Sequence, residues 1–252
     1  MSVISVLMQH THCFQYMPSA ADSDFSITRW IHEGQGNIYI SSNSMIEHTL
    51  RPILSLIVDL LERSLLAMPD DYNRRLFFLL DEFGTLQRLT TIKNLLTLSR
   101  SKGGSVWIGI QDIGQIEKIY SRELRQAIIN ACGTNAIFSV ADPDTAEFLA
   151  RKIGKTKISY VDELLSMGVE DNRDGISLTR RERAEDLIMP ADIMNMPDLT
   201  LLLKLPGYHL TKTKISYRGY KIRNEMFTLR EGLSIEEIAE TEAEIREKEE
   251  MQ

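Results

Sequence analysis

The sequence contains very little cysteine and no long apolar run. Cys13 and Cys132 are its only cysteines and form no CxxC pair, so neither a disulfide framework nor a cysteine zinc site is expected. No apolar stretch approaches the ~20 residues that a membrane helix requires. The opening MSVISVLM is too short and too uncharged for a secretory signal. These absences favour a soluble polypeptide in a reducing cytoplasm.

The net negative charge is concentrated in the C-terminal end. Residues 234–252 hold eight Glu against Arg246 and Lys248, a net charge of −6. Subtracting this from the chain's −7 leaves −1 for residues 1–233, which are therefore almost electroneutral. Ser234 and Glu237 have the spacing of a capping box, which predicts a solvated helix at the start of the acidic tail.

One short segment combines a wholly apolar run with two adjacent acids. In RRLFFLLDEFGTL, residues 74–86, the apolar run ends at Asp81 and Glu82. Its short length and two phenylalanines predict a strand over 75–80, covered on both faces as in a parallel α/β sheet. Functional residues collect at the carboxyl ends of such strands. The simpler alternative is that the acids only cap the next helix.

The rest of the chain alternates between strand and helix patterns up to residue 153. Predicted strands cover 37–42, 75–80, 105–111 and 135–141, and predicted helices cover 46–67, 90–101, 113–131 (with a break near Ser121) and 142–153. This alternation predicts an α/β fold with a parallel sheet flanked by helices. Residues 174–220 lack a strong helix pattern and predict an antiparallel appendage or edge strands.

Four segments follow from these patterns. Residues 1–36 form a leader, 37–153 an α/β core, 154–222 a β-rich extension and 223–252 an acidic helical tail.

An apolar strand ending in Asp-Glu within a parallel sheet is the Walker B arrangement of P-loop ATPases. Asp81 would hold Mg²⁺ through water, and Glu82 would orient or deprotonate the attacking water. Gln111 ends the next strand, where it could contact the nucleotide. Arg100 ends the intervening helix; it is either an arginine finger for a neighbouring subunit or a residue that compensates the helix dipole.

The phosphate-binding loop of such ATPases is missing from the sequence. The only GK[ST] triplet is Gly154-Lys155-Thr156, and the position of the first glycine of GxxxxGK[ST] is held by Leu149. This triplet also follows a predicted helix, whereas a P-loop joins a strand to a helix. We therefore do not interpret it as a nucleotide site.

Several segments together resemble a known family. FSITRWI (25–31), LRPILS (50–55), LFFLLDEFGTL (76–86), SRSKGGSVWIGIQ (99–111) and the stretch from RDGISLTRRER to LLLKLPGY (173–208) are similar to the TraD/TraG group of type IV coupling proteins of bacterial conjugation. The resemblance runs from about residue 25 to residue 210 in family order.

The resemblance implies a RecA- and FtsK-like motor that forms hexameric rings and brings DNA to a secretion channel. It implies ATP and Mg²⁺ as cofactors, with Asp81 and Glu82 matching the Walker B acids, Gln111 the glutamine of the next strand and Arg100 the intersubunit finger. Implied partners are further motor subunits, DNA with its relaxosome, and channel components, at the cytoplasmic face of the inner membrane.

Family members also carry membrane helices, a P-loop and an all-α domain, which would all lie upstream of Met1. The chain therefore resembles the C-terminal part of such a motor, with the P-loop half missing, and we expect it to be catalytically inactive alone. Two alternatives remain open. The chain could be half of another hexameric helicase or translocase, or a non-enzymatic remnant or interaction module.

Overall fold

The computed structural model describes residues 25–41, 47–166 and 175–221, together with positions 11, 13, 14, 17, 234, 240 and 243. Most of the predicted helical tail and most of the predicted leader lie outside these residues. The chain divides into two compact units, Met1–Cys132 with Gly219–Gln252, and Gly133–Arg218. Across the described part of the chain, no helix combines the length and the apolar character needed to cross a bilayer.

Four helices form the frame of the first unit. They are α1 (Ile27–Glu33), α2 (Glu47–Ala67), α3 (Ile92–Leu98) and α4 (Ile113–Ala131). Helix α4 starts where the Asp112 carboxylate accepts a hydrogen bond from the Gly114 N–H at 2.7 Å, as an N-cap does. The predicted break in this helix is confirmed, because Ser121 has a non-helical φ of 62° and ψ of 162°.

The sheet of the first unit has two parallel strands, β1 (Leu76–Leu80) and β2 (Gly104–Ile108). Their register runs from Leu76 opposite Gly104 to Leu80 opposite Ile108, with α3 in the connection between them. Phe78 and the residues beside it on the same face pack into a core formed with the helices. The α/β fold class is confirmed, and the predicted strand at 75–80 agrees with β1.

The expectation that this strand is covered on both faces is wrong for the described residues. Side chains alternate along a strand, so Phe77 and Leu79 point away from the core, as does Trp107 on β2. All three are more than half exposed. The helices that β1 and β2 contact lie on the other face of the sheet, so the second face has no cover among the residues described.

The predicted strand at 37–42 is also wrong, because residues 37–41 have no regular secondary structure. Ile38 packs against the core of the first unit, whereas Tyr39 is almost fully exposed. The apolar alternation therefore indicates correctly that Ile38 faces the core, but it does not make this segment a strand. A strand also requires a neighbour for its backbone hydrogen bonds. Strand β1 pairs only with β2 in the described sheet.

The second unit is mainly antiparallel. In chain order it contains β3 (Asn135–Ile137), α5 (Pro143–Ile153), β4 (Lys155–Ser166), β5 (Gly175–Asp186), α6 (Pro190–Met194), β6 (Thr200–Lys204) and β7 (Thr211–Lys214). Strands β4 and β5 form one hairpin, and the other sheet has the order β3-β6-β7. The antiparallel character predicted for residues 174–220 is confirmed.

Strand β3 does not extend a parallel sheet, so the predicted continuous βαβ pattern to residue 153 is wrong at this point. β3 pairs antiparallel with β6, with Asn135 opposite Lys204. The Lys204 amine also binds the carbonyl oxygens of Lys152 and Ile153 at the end of α5, at 2.5 and 3.0 Å. These long-range contacts attach β3 and α5 to β6. The division of the chain into domains stays a prediction.

Candidate functional site

The two acids follow β1 directly, and the peptide of Gly109 fixes the backbone around them. The Gly109 N–H donates to the Leu80 carbonyl at 2.8 Å, and its carbonyl accepts from the Phe83 N–H at 3.2 Å. A Cβ atom at position 109 would lie only 2.0 Å from the Asp81 carbonyl oxygen, so only glycine fits here. Asp81 and Glu82 are thus exposed on a backbone held from both sides.

Phe83 anchors the segment immediately after the acids. Its ring is fully buried and stacks on Tyr120 of α4, with centroids 5.4 Å apart and an angle of 11° between the rings. The Tyr120 hydroxyl in turn accepts a hydrogen bond from the Leu89 N–H at 2.9 Å. Burial raises the pKa of Tyr120 to about 12, so this phenol stays protonated well above neutral pH. The acids therefore lie between two fixed points, Leu80 in the strand and Phe83 in the core.

Gln111 and Glu82 meet at the carboxyl edge of the parallel strands. The Gln111 amide Nε2 lies 3.4 Å from Glu82 Oε1, at the long end of the hydrogen-bond range. Both side chains are exposed. The sequence predicted this proximity from the positions of the two residues at neighbouring strand ends. Their chemical roles stay predictions.

Arg100 is not brought to the same edge. It lies in the turn after α3, where its carbonyl accepts from the Gly103 N–H at 3.2 Å, just before β2 begins. This is the amino edge of the sheet, and a five-residue strand separates the two edges by roughly 13 Å. Arg100 is exposed. Within one chain, Arg100 therefore lies at the opposite end of the strands from Asp81 and Glu82.

Polar side chains of α2 hold the segment between the acids and α3. Ser55 Oγ accepts from the Gln87 N–H at 2.8 Å. The Asp59 carboxylate accepts from the hydroxyls of Thr90 and Thr91 at 3.2 and 3.1 Å. Burial acts to raise the pKa of Asp59, but hydrogen bonds from Arg63 and Thr91 outweigh it and lower that pKa. Asp59 is therefore the ionised member of this group.

Glu62 is a fully buried carboxyl next to Asp59. Its Oε2 is hydrogen-bonded to the Thr91 hydroxyl, and its Oε1 has no hydrogen-bond partner in the described structure. Burial raises the pKa of Glu62 to about 7, and the nearby charge of Asp59 adds to this rise. The Thr91 hydroxyl has one proton for two carboxyls. A protonated Glu62 resolves this, because it donates to Thr91 while Thr91 donates to Asp59.

We predict that Glu62 makes the stability of the first unit fall between about pH 4.5 and pH 7. Its pKa is raised in the folded state, so the folded chain retains a proton that the unfolded chain has lost in this window. The loss of unfolding free energy should reach about 3 kcal/mol above pH 7. In Glu62→Gln the amide donates to Thr91 as the protonated acid does, so this pH dependence should disappear. Urea unfolding at several pH values measures it.

Glu147→Gln is the matched control, because Glu147 has an exposed side chain and forms only an i,i+4 contact with Arg151. The control should retain the pH dependence of the unsubstituted chain. Equal pH slopes for the unsubstituted chain and Glu62→Gln would contradict a buried, protonated Glu62.

Sequence reasoning missed Gly109, Tyr120 and Glu62, although two of them carry a visible signal. A glycine inside a strand pattern indicates close approach of another backbone, as Gly109 shows. Glu62 interrupts the helical period of α2, since it follows Val58 by four residues and precedes Leu65 by three. The role of Tyr120 depends on a contact with a segment about 30 residues earlier, which no local pattern predicts.

The exposed side chains at the strand edge suit a hard cation better than a soft one. The carboxylates of Asp81 and Glu82 and the amide of Gln111 supply oxygen ligands of the kind that Mg²⁺ prefers. Among the described residues, no group of three or more His, Cys, Asp or Glu could hold a metal ion. The phosphates of a nucleotide would need a loop that the sequence lacks.

The fold and the strand edge define an α/β protein of the RecA-like class, and solved structures agree. The conjugative coupling protein TrwB (ΔN70, unbound) matches with a TM-score of 0.69 and 27% identity, over 82% of this chain and 47% of TrwB. Plasmid coupling protein TrwB in complex with ADP and Mg²⁺ matches with a TM-score of 0.69 and 26% identity, over 82% of this chain and 46% of that one.

Residues 1–215 match the family described as the DNA-binding domain of type IV secretion-system coupling proteins. The chain belongs to this family. Coupling protein TraD of Escherichia coli K12 is 32% identical over 225 residues, which cover 86% of this chain and 31% of TraD. The chain thus spans less than half the length of these relatives.

Proposed function

We propose that this chain forms part of the motor of a conjugative coupling protein, an ATP-driven hexamer that moves DNA into a type IV secretion channel. The observation that carries this proposal is the meeting of Glu82 and Gln111 at the carboxyl edge of β1 and β2, directly beside Asp81. Membership of the coupling-protein family and the TrwB complex with ADP and Mg²⁺ support it.

Each side chain at this edge has a proposed task. Asp81 would hold Mg²⁺ through water, because a carboxylate is the usual protein ligand of that ion. The bound ion would neutralise charge on the phosphate oxygens. Glu82 would accept the proton of the attacking water, and the Gln111 amide would keep the Glu82 carboxylate in place and detect the nucleotide state. The Gly109 and Phe83 contacts would preserve these positions through the cycle.

The uncovered face of the two-stranded sheet supports the proposal that more of the motor packs here. Phe77, Leu79 and Trp107 expose a large apolar surface on a type of sheet that is normally covered on both faces. Covering this face with the P-loop-bearing part of a motor would also bring a phosphate-binding loop toward the carboxyl edge. Further subunits, the relaxosome, channel components and the inner membrane complete the proposed setting.

We predict that residues 1–252 alone neither bind Mg-ATP tightly nor hydrolyse it, because no loop in their sequence surrounds the phosphates. A chimera should regain both activities when the 225-residue matched region of Escherichia coli TraD is replaced by the corresponding region of this chain. Isothermal titration and phosphate release measure binding and turnover, and plasmid transfer from a donor strain lacking TraD measures function.

Two results would contradict the proposal. One is tight ATP binding with turnover by the isolated chain. The other is a chimera that folds and hydrolyses ATP but does not restore transfer, which would favour a different hexameric translocase. Unsubstituted TraD is the positive control for the strain.

A further inference from the structure

A basic and tyrosine-rich stretch follows strand β6. Between Leu199 and Asn224 the sequence contains six Lys or Arg and no Asp or Glu, although the whole chain carries a net charge of −7. Every residue of β7 is exposed. Lys204 is the exception among the basic residues, because its amine is engaged with the end of α5. Three of the others, Lys212, Lys214 and Arg218, are exposed residues of the second unit that lie in β7 or shortly after it.

Backbone hydrogen bonds fix both ends of this stretch. The turn after β6 contains Gly207 with φ +79°, and the Tyr208 N–H donates to the Leu205 carbonyl at 3.3 Å. Beyond β7, the Ile215 N–H donates to the Leu199 carbonyl at 2.8 Å. These bonds hold the stretch from Tyr208 to Ile215, and we call the exposed basic and tyrosine residues from position 208 to position 218 the basic edge. It consists of Tyr208, Lys212, Lys214, Tyr217 and Arg218.

Tyrosines precede and follow the two lysines of the basic edge. Lys212 and Lys214 are two residues apart in a strand, so their side chains leave the same face about 6.7 Å apart. Tyr208 precedes β7 and is 76% exposed, and Tyr217 follows it and is 81% exposed. Along the sequence, two exposed aromatic rings thus lie on either side of a pair of exposed ammonium groups.

Protection of the sheet edge explains the lysines but not the tyrosines. Lysine on an edge strand prevents unwanted pairing with other strands. A ring exposed over three quarters of its surface contributes little to folding, because the hydrophobic gain depends on the area removed from water. Stacking on a bound ligand with flat faces would explain why these two rings are exposed.

We infer that the basic edge binds single-stranded nucleic acid. Proteins that bind single strands combine a positively charged path for the phosphates with aromatic rings on which the bases stack, and the basic edge has both. A duplex hides the faces of its bases, so the tyrosines favour a single strand over a duplex. This inference rests on the proposed role in DNA transfer and identifies the surface that would hold the DNA.

The test is fluorescence anisotropy of labelled oligothymidylate with the full 252-residue chain, beside a duplex of equal length and vesicles containing phosphatidylglycerol. The chain should bind the oligothymidylate more tightly than the duplex. Tyr208→Ala and Tyr217→Ala should each weaken binding about tenfold, whereas Tyr217→Phe should not. Combined Lys212→Gln and Lys214→Gln should reduce the slope of log affinity against log salt by about 1.4.

Two substitutions elsewhere serve as matched controls. Tyr72→Ala removes a tyrosine of the other unit that is 69% exposed. Lys157→Gln removes an exposed lysine of the second unit that lies 3.4 Å from the Glu182 carboxylate. Neither should change binding by more than about twofold, since neither contributes an uncompensated charge or a ring at the basic edge. Thermal unfolding checks that all variants fold.

Three results would overturn the inference: no binding of oligothymidylate, binding that the tyrosine and lysine substitutions do not weaken, or tighter binding to the anionic vesicles. Each is distinguishable from failure of the proposed motor function, because the TraD chimera reports ATP turnover independently of the basic edge. A chimera that works while the basic edge binds nothing would place the DNA-binding surface elsewhere.

Discussion

In the TraD chimera, Glu82→Gln is expected to reduce ATP hydrolysis by ~10²–10⁴ and to leave ATP binding unchanged. This corresponds to about 3–5 kcal/mol of transition-state stabilisation. Glutamine has the size of glutamate and retains a carbonyl oxygen that can accept from the Gln111 amide, as Glu82 Oε1 does at 3.4 Å. It has no basic oxygen, so only the proton transfer is lost. Single-turnover phosphate release and nucleotide titration separate the two effects.

Asp81→Asn is the informative comparison, because the two acids have different proposed tasks. Asparagine is a poorer ligand for Mg²⁺, so this substitution should weaken Mg²⁺-dependent binding of ATP itself. The Asp81 backbone should be unaffected, since its position depends on Leu80 and Gly109. Hydrolysis near the unsubstituted rate by Glu82→Gln would contradict the assignment, and the alternative of a helix cap would not replace it, because the Glu82 side chain makes no cap hydrogen bond.

The segment from β1 to Gln111 shows which features a sequence can predict. An apolar run ending in two acids, followed by a helix and a second apolar run, indicates a parallel pair with both polar ends at one edge. The structure has this arrangement, with Gln111 beside Glu82. The break near Ser121 was also predicted, and the non-helical φ of 62° there confirms it. These features depend on local patterns and on general rules for chain connections.

The incorrect predictions all depend on contacts between distant residues. β3 has an apolar pattern that fits a parallel or an antiparallel neighbour, and its pairing is decided by β6, more than 60 residues later. Residues 37–41 have strand-like alternation but no neighbour in the described structure. Apolar alternation indicates which side chains are buried. Whether the segment forms a strand depends on a neighbouring strand that pairs with its backbone.

The hydrogen-bond partner of a buried polar group is hard to predict even where the apolar period signals its burial, as Glu62 shows. A glutamate within an amphipathic helix is normally assigned to the solvent face. The buried carboxyl of Glu62 is hydrogen-bonded to Thr91, which directly precedes α3 and whose side chain makes no cap hydrogen bond to that helix. This pairing attaches the segment after the acids to α2. The proposed catalytic edge is therefore supported by residues that carry no recognisable motif.

Arg100→Ala in the chimera is expected to reduce turnover by ~10³–10⁵, the usual effect of losing an arginine finger, with unchanged ATP binding by monomers. The reason is geometric, because Arg100 lies at the amino edge of β2 and the acids lie at the carboxyl edge of β1. In a ring, an exposed arginine at the amino end of the strands can reach the nucleotide of the next subunit. Arg122→Ala, at another exposed arginine, is the matched control.

Mixing two inactive chimeras tests the action of Arg100 between subunits directly. A subunit with Arg100→Ala retains Glu82, and a subunit with Glu82→Gln retains Arg100. If each site takes Glu82 from one subunit and Arg100 from its neighbour, random mixing in equal amounts makes about a quarter of the sites complete. ATP turnover should then recover to about a quarter of the unsubstituted rate, although each variant alone is inactive. If both residues acted within one subunit, no mixture could contain a complete site. Absence of recovery in rings of confirmed mixed composition would therefore mean that Arg100 only compensates the dipole at the end of α3.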